Sequence, residues 1–116
     1  MKRFWLATLS SIDGLIFAFR SEAAFRQELC ALVLAIPASF VISESWWMRA
    51  VLIASVLFVL LIEVLNTAFE KLSDHVTPEH SLAIKAVKDL GSAAVMLAIG
   101  IAGLLWLAAI ATRFAR

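Results

Sequence analysis

The sequence is poor in the residues that build disulfide, zinc and redox sites. It has a single cysteine, Cys30, and two histidines. A lone cysteine excludes an internal disulfide bond and a CxxC pair. No HExxH sequence is present, and no glutamate is followed three residues later by histidine, which disfavours zinc and di-iron sites. The four glycines form no GxxxxGK[ST], GxGxxG or GxSxG motif, so the common phosphate-binding loops and the serine nucleophile elbow are absent.

Charged residues are also scarce. They make up 16% of the chain, where a soluble domain has ~25%, and the net charge is +1 without any basic run. Nucleic acid is therefore not an expected partner. Hydrophobic residues reach 63%, against ~45–50% in soluble domains, and the mean hydropathy is +0.96. A chain of 116 residues could not bury so much apolar surface by itself, so we expect a membrane protein.

Three apolar segments divide the chain. The first has fifteen uncharged residues from Leu29 to Ser43, and the last has twenty-three from Leu90 to Thr112, enough to cross ~30 Å of hydrocarbon. The middle one has thirteen from Ala50 to Ile62, and its helical pattern continues past Glu63. We predict an all-α membrane protein with a single domain over 1–116 and spans at about 25–43, 46–72 and 84–112.

The first twenty residues have a different pattern. Apolar residues recur there at helical spacing, with polar residues between them: Phe4, Trp5, Leu9, Ile12, Ile16 and Phe19. This pattern predicts an amphipathic helix over about 1–20 that lies on the membrane surface. Asp13 and Arg20 interrupt the segment and argue against a cleaved secretory signal.

The distribution of basic residues predicts the orientation. Seven of the ten lie on one side of the predicted spans: Lys2, Arg3, Arg20, Arg26, Lys71, Lys85 and Lys88. Arg49, Arg113 and Arg116 lie on the other side. The positive-inside rule then places the amino terminus and the polar turn from His75 to Ser81 in the cytoplasm, on the side that holds ATP.

Polar residues gather where the spans reach this side. Glu63, Asn66, Glu70 and Asp74 are three and four residues apart and share one helical face. Two further polar groups could converge on them: Glu22, Arg26 and Glu28 before the first span, and Lys85, Lys88, Asp89 and Ser92 at the start of the last.

Two interpretations of these groups are open. Lysines and acids at helix ends are commonly solvated, which suits Lys71, Asp74, His75 and Lys85. Glu63 lies closer to the hydrocarbon, where an ionisable residue is costly and is a functional candidate, for example as a general base. Carboxylates beside an amide are also the hard oxygen ligands that Mg²⁺ takes together with phosphates.

Three blocks resemble the prokaryotic diacylglycerol kinase family: SEAAFRQE (21 to 28), IEVLNTAFEKLSD (62 to 74) and KDLGSAAV (88 to 95). The resemblance covers nearly the whole chain. It implies a homotrimer of three-span subunits, each with a surface helix, in the bacterial inner membrane. It also implies transfer of the γ-phosphoryl group of MgATP to diacylglycerol, at active sites shared between subunits, which yields phosphatidic acid.

The resemblance also implies roles for individual residues. Glu63 matches the general base, Glu22 and Glu70 match the pair that binds Mg²⁺ on ATP, and Asn66 matches an amide that orders these acids. The ATP contacts implied in addition to Glu22 and Glu70 are Arg3, Ser10, Glu79, Lys88 and Asp89. The positions implied to line the lipid path, besides Glu63, are Arg26, Glu28, Arg49, Ser92 and Trp106.

Two alternatives stay open. Undecaprenol kinase has the same fold, although GSAAV after Lys88 and Asp89 is closer to the diacylglycerol branch than the AAGAV typical of the other. A membrane subunit without enzymatic activity, whose polar faces bind a partner or an ion, is the second alternative. The segment from His75 to Ile84 departs from the family pattern, which affects the adenine contacts expected there.

Overall fold

The computed structural model describes residues 1–76 and 81–115 and contains no strand within them. They form four helices: α1 (Lys2–Ser21), α2 (Ala23–Ile42), α3 (Trp46–Val76) and α4 (Leu82–Phe114). The last three are each long and apolar enough to cross a membrane. This confirms the predicted all-α membrane architecture of three spanning helices preceded by a further helix. The helix α3 continues four residues beyond Leu72, where the predicted span ends.

The helix α1 is almost entirely exposed. Ala18 is its one buried residue, and the six residues of its predicted apolar face are all exposed in the single chain. An apolar face that the chain leaves uncovered is typical of a helix that lies in the membrane interface.

A single residue, Glu22, connects α1 to α2. Its backbone is extended, with φ −123° and ψ 114°, and its N–H still donates to the Ala18 carbonyl at 2.9 Å. The corner is packed around a small apolar cluster of Ala18, Phe25 and Leu60, so α1, α2 and α3 meet there. The two carboxyl-terminal turns of α1 are thereby held close to the polar end of α3.

The helix α3 is the centre of the chain, with α2 and α4 packed against it. Its contact with α4 is built from Val59, Ala98 and Ala102, and the two alanines let the helix backbones approach closely. At the far end the Trp106 indole N–H lies 3.2 Å from the Leu52 carbonyl and 3.1 Å from the Ser55 hydroxyl. These contacts fix the register of α4 on α3.

Candidate functional site

The first turn of the polar face of α3 is buried within the single chain. Glu63 is 6% exposed and Asn66 is 9% exposed, and Thr67 beside them is also buried. Glu70, one turn further on, is half-buried. The helical spacing brings these side chains to one side of α3, and the neighbouring helices cover that side. They are therefore shielded from water directly after a long apolar run.

Acidic side chains from the start of α2 converge on this face. Glu28 lies close enough to Glu63 for their charges to interact. Glu22 and Glu70 each lie close enough to Glu63 for the same interaction. We call these four residues, Glu22, Glu28, Glu63 and Glu70, the carboxylate cluster. Two of its members, Glu22 and Glu28, come from the corner and the first turns of α2, and the other two come from α3.

The carboxylate cluster has little compensating positive charge. Among the described residues, one cation lies within 4.0 Å of it: the Lys71 ammonium, 3.9 Å from Glu22 Oε1. Carboxylates in a partly buried space repel one another, so the arrangement favours either a protonated carboxyl group or a bound cation. In the described part of the chain, no three His, Cys, Asp or Glu side chains come close enough to hold a metal ion by themselves.

Asn66 joins the carboxylate cluster to α4. Its amide nitrogen donates to Glu70 Oε1 at 3.2 Å, which orients one of the acids. Its amide oxygen is buried without a hydrogen-bond partner among the described residues and packs against Gly91. A Cβ atom at position 91 would overlap this oxygen, so α4 can approach α3 here because residue 91 has no side chain.

Two further buried oxygens have no partner among the described residues: Glu28 Oε2 and Thr67 Oγ1. Buried polar atoms in folded proteins nearly always have a partner. Both atoms belong to the region around Glu63, so this region has unused capacity to accept hydrogen bonds or to bind a cation. The donor set, carboxylate and amide oxygens, is the type that Mg²⁺ prefers.

The polar start of α4 forms two ion pairs. Lys88 Nζ lies 2.7 Å from Asp74 Oδ1 on α3, and Lys85 Nζ lies 2.6 Å from Asp89 Oδ2 within α4. Asp74 and Lys85 are both exposed, as expected for solvated residues at helix ends, and each forms a surface ion pair with an expected nucleotide contact. The Lys85–Asp89 pair follows the i, i+4 spacing within one helix, whereas the Lys88–Asp74 pair joins two helices.

Three residues expected along the lipid path bind the protein itself. Arg26 Nη1 donates to the carbonyls of Phe19, at 2.7 Å, and Arg20, at 3.3 Å, in the last turn of α1. Arg49 Nε donates to the Ser43 carbonyl at 2.9 Å, and Trp106 donates to α3 as described above. Arg49 also lies over the rings of two aromatic residues, Phe40 and Trp46.

The remaining expected site residues are not gathered into the carboxylate cluster by these contacts. Arg3 and Ser10 are exposed on α1, and Ser92 is exposed on α4. Glu79, together with Thr77 and Pro78 of the predicted polar turn, lies outside the described residues.

Comparison with known proteins gives consistent similarities. The sequence model of the family described as prokaryotic diacylglycerol kinase matches residues 9–110. The chain is 41% identical over 106 residues to the diacylglycerol kinase of Pseudomonas aeruginosa, which covers 91% of this chain and 86% of the relative. It is 40% identical to the diacylglycerol kinase of Haemophilus influenzae, over 86% of this chain and 85% of the relative. It is also 40% identical to the diacylglycerol kinase of Escherichia coli K12, over 83% of this chain and 79% of the relative.

The close approach at Gly91 leads to a matched test. We expect Gly91→Ala to push Asn66 off Glu70 and to lower the thermal midpoint of the detergent-solubilised protein, because overpacking of this kind costs ~1–3 kcal/mol. Gly100→Ala is the control, since no heavy atom of the described residues lies within 4 Å of a Cβ built there. Circular dichroism melting compares the two, and an equal midpoint in both would contradict the assigned contact.

Proposed function

The chain belongs to the prokaryotic diacylglycerol kinase family, and on this premise we propose that it phosphorylates diacylglycerol with Glu63 as the general base. The lipid hydroxyl oxygen attacks the γ-phosphorus of ATP, the bond from that phosphorus to the bridging oxygen breaks, and the products are phosphatidic acid and ADP. The observation that carries the proposal is the burial of Glu63 among other acids directly after thirteen uncharged residues.

Glu63 is suited to a reaction between a membrane substrate and a soluble one. It lies where the apolar run of α3 gives way to polar residues, so a lipid hydroxyl can meet it without leaving the bilayer. A carboxylate within hydrogen-bond reach of that hydroxyl accepts its proton as the oxygen attacks. Such a proton transfer contributes typically ~10²–10⁴-fold to a rate.

An apolar groove beside this position suits the acyl chains. It lies between α1, α2 and α3, has a volume of about 810 Å³, and is lined almost entirely by leucine, isoleucine, phenylalanine and valine side chains. Val64, the neighbour of Glu63, is part of its lining. A diacylglycerol held in the groove would therefore present its hydroxyl group near the carboxylate cluster.

Glu22 and Glu70 are the residues that would hold Mg²⁺ with the phosphates of ATP. Two carboxylates are a usual protein contribution when phosphate oxygens and water complete the ligands of this ion. The bound ion would offset the negative charge of the phosphates and of the carboxylate cluster. Asn66 keeps Glu70 oriented, while Lys88 offers positive charge and Asp89 a polar contact to the nucleotide.

We assign the further expected contacts in the same way. Arg3, Ser10 and Glu79 are proposed to approach the nucleotide, and Glu28 and Ser92 the lipid head. We further propose a homotrimer with active sites shared between subunits, as membership of the family implies. We propose placement in the bacterial inner membrane, as the family implies, and the distribution of basic residues supports a cytoplasmic amino terminus.

The choice of lipid is tested directly with the purified protein. We expect labelled ATP to phosphorylate dioleoylglycerol in mixed micelles and to leave undecaprenol unlabelled. Thin-layer chromatography separates the two products. Phosphorylation of undecaprenol alone would refute the proposed substrate, and labelling of neither lipid would refute the kinase assignment.

The role of Glu63 is tested by Glu63→Gln, which keeps the shape of the side chain and removes the base. We expect the rate of diacylglycerol phosphorylation to fall by about two to four orders of magnitude, as loss of a general base predicts. The oligomer in detergent is expected to persist, as measured by size-exclusion chromatography with light scattering. Glu44→Gln, the same change at the exposed far end of the bundle, serves as the control. Near-normal turnover in Glu63→Gln would exclude it as the base.

The proposed metal ligand is tested by Glu70→Gln. The amide oxygen of glutamine can still accept the hydrogen bond from Asn66, so the local packing is kept while the negative charge is lost. We expect the free Mg²⁺ concentration for half-maximal activity to rise by at least about tenfold, since groups around a metal contribute 10–100-fold to its affinity. Activity is measured against free Mg²⁺ at a fixed ATP concentration, and an unchanged midpoint would remove Glu70 from the metal site.

A further inference from the structure

Arg26 closes the carboxyl-terminal end of α1. The carbonyls of Phe19 and Arg20 face the corner at Glu22, where α1 ends and no further turn supplies N–H donors to them. Arg26, the fourth residue of α2, folds back so that its Nη1 donates to both, at 2.7 and 3.3 Å. A positive charge at this end of a helix also offsets the helix dipole.

The orientation of α1 depends on few other contacts. Glu22 is the whole connection, and Ala18 is the one residue of α1 that is buried in the chain. Lys71 on α3 adds a second link, because its ammonium lies over the Phe17 ring at 5.8 Å and 3.9 Å from Glu22 Oε1. That second distance is longer than a hydrogen bond, whereas Arg26 reaches the Phe19 carbonyl directly.

We propose that Arg26 is a positioning residue: by binding the carbonyl end of α1 it sets the angle between α1 and α2 and keeps the Glu22 carboxylate beside α3. Glu22 lies between the two helices that Arg26 ties together. Any swing of α1 about the corner would change the direction of the Glu22 side chain relative to Glu63 and Glu70. This role differs from the lipid contact that the family resemblance implies for the same residue.

The test follows the position of α1 without any need for catalysis. In a Cys30→Ser background, a nitroxide label is attached at Ala7→Cys, an exposed site on α1, and its mobility is measured in lipid nanodiscs. We expect mobility to rise in the order parent, Arg26→Lys, Arg26→Ala. Lysine keeps the charge, but its ammonium is one bond closer to the backbone than Nη1 and lacks the fixed direction of the guanidinium N–H groups. Gln27→Ala, an exposed change on the same helical turn, is expected to match the parent.

Kinetics supply the second readout and rest on the proposed function. We expect Arg26→Lys to raise the KM for MgATP by about tenfold, because small displacements of a positioning group have large effects, and to leave the KM for diacylglycerol within about twofold. A lipid contact would give the reverse pattern with an unchanged label spectrum.

The two readouts separate the possible failures. An unchanged label spectrum in both Arg26 variants would overturn the proposal, and so would equal mobility changes in Gln27→Ala. If Arg26→Ala does not assemble, Arg26→Lys decides the outcome by the same criteria. Absence of phosphatidic acid from the parent protein would refute the proposed function while leaving the label result to decide the role of Arg26.

Discussion

The backbone carbonyls at the ends of these helices impose the constraint on which the arrangement depends. The last carbonyls of a helix have no backbone partner within it, so side chains or water must supply one. The chain meets this need in the same way at two corners. Arg26 is the fourth residue of α2 and binds the end of α1, and Arg49 is the fourth residue of α3 and binds the Ser43 carbonyl at the end of α2. Because the following helix closes the preceding one, both connections are short and the helices stay closely packed.

Short connections then determine which acids meet. With one residue between α1 and α2, Glu22 lies at the top of α2 and next to the polar end of α3, where Glu63 and Glu70 already share a face. The helix α4 is tied to the same group through the contact of Gly91 with Asn66 and the hydrogen bond from Asn66 to Glu70. The position of α4 against α3 therefore affects Glu70, the proposed metal ligand, through the side-chain amide of Asn66. Helix packing, and not a binding loop, therefore brings the carboxylate cluster together.

Much of this could be predicted from sequence, and the reasons are physical. Apolar runs too long for a soluble chain predict α2, α3 and α4, and the spacing of Glu63, Asn66 and Glu70 predicts their common face. The contacts of Arg26 and Arg49 could not be predicted, because a backbone carbonyl acceptor has no signature in the sequence. The pair of Lys88 with Asp74 depends on how far α4 is shifted along α3, and helical periodicity within either helix does not contain that information. The contact of Gly91 with Asn66 could not be predicted either, because the sequence does not identify the residue that a glycine faces on a neighbouring helix.

The one-residue corner at Glu22 also makes chain length at this point part of the architecture. Each inserted or deleted residue in a helix turns everything before it by about 100° around the axis and shifts it by about 1.5 Å. A single insertion in the last turn of α1, just ahead of this corner, would therefore rotate the apolar face of α1 away from the membrane interface. Residues added ahead of Lys2 have no such effect, because they leave the orientation of α1 relative to the corner unchanged. The last turn of α1 is thus a place where an insertion is more damaging than a substitution.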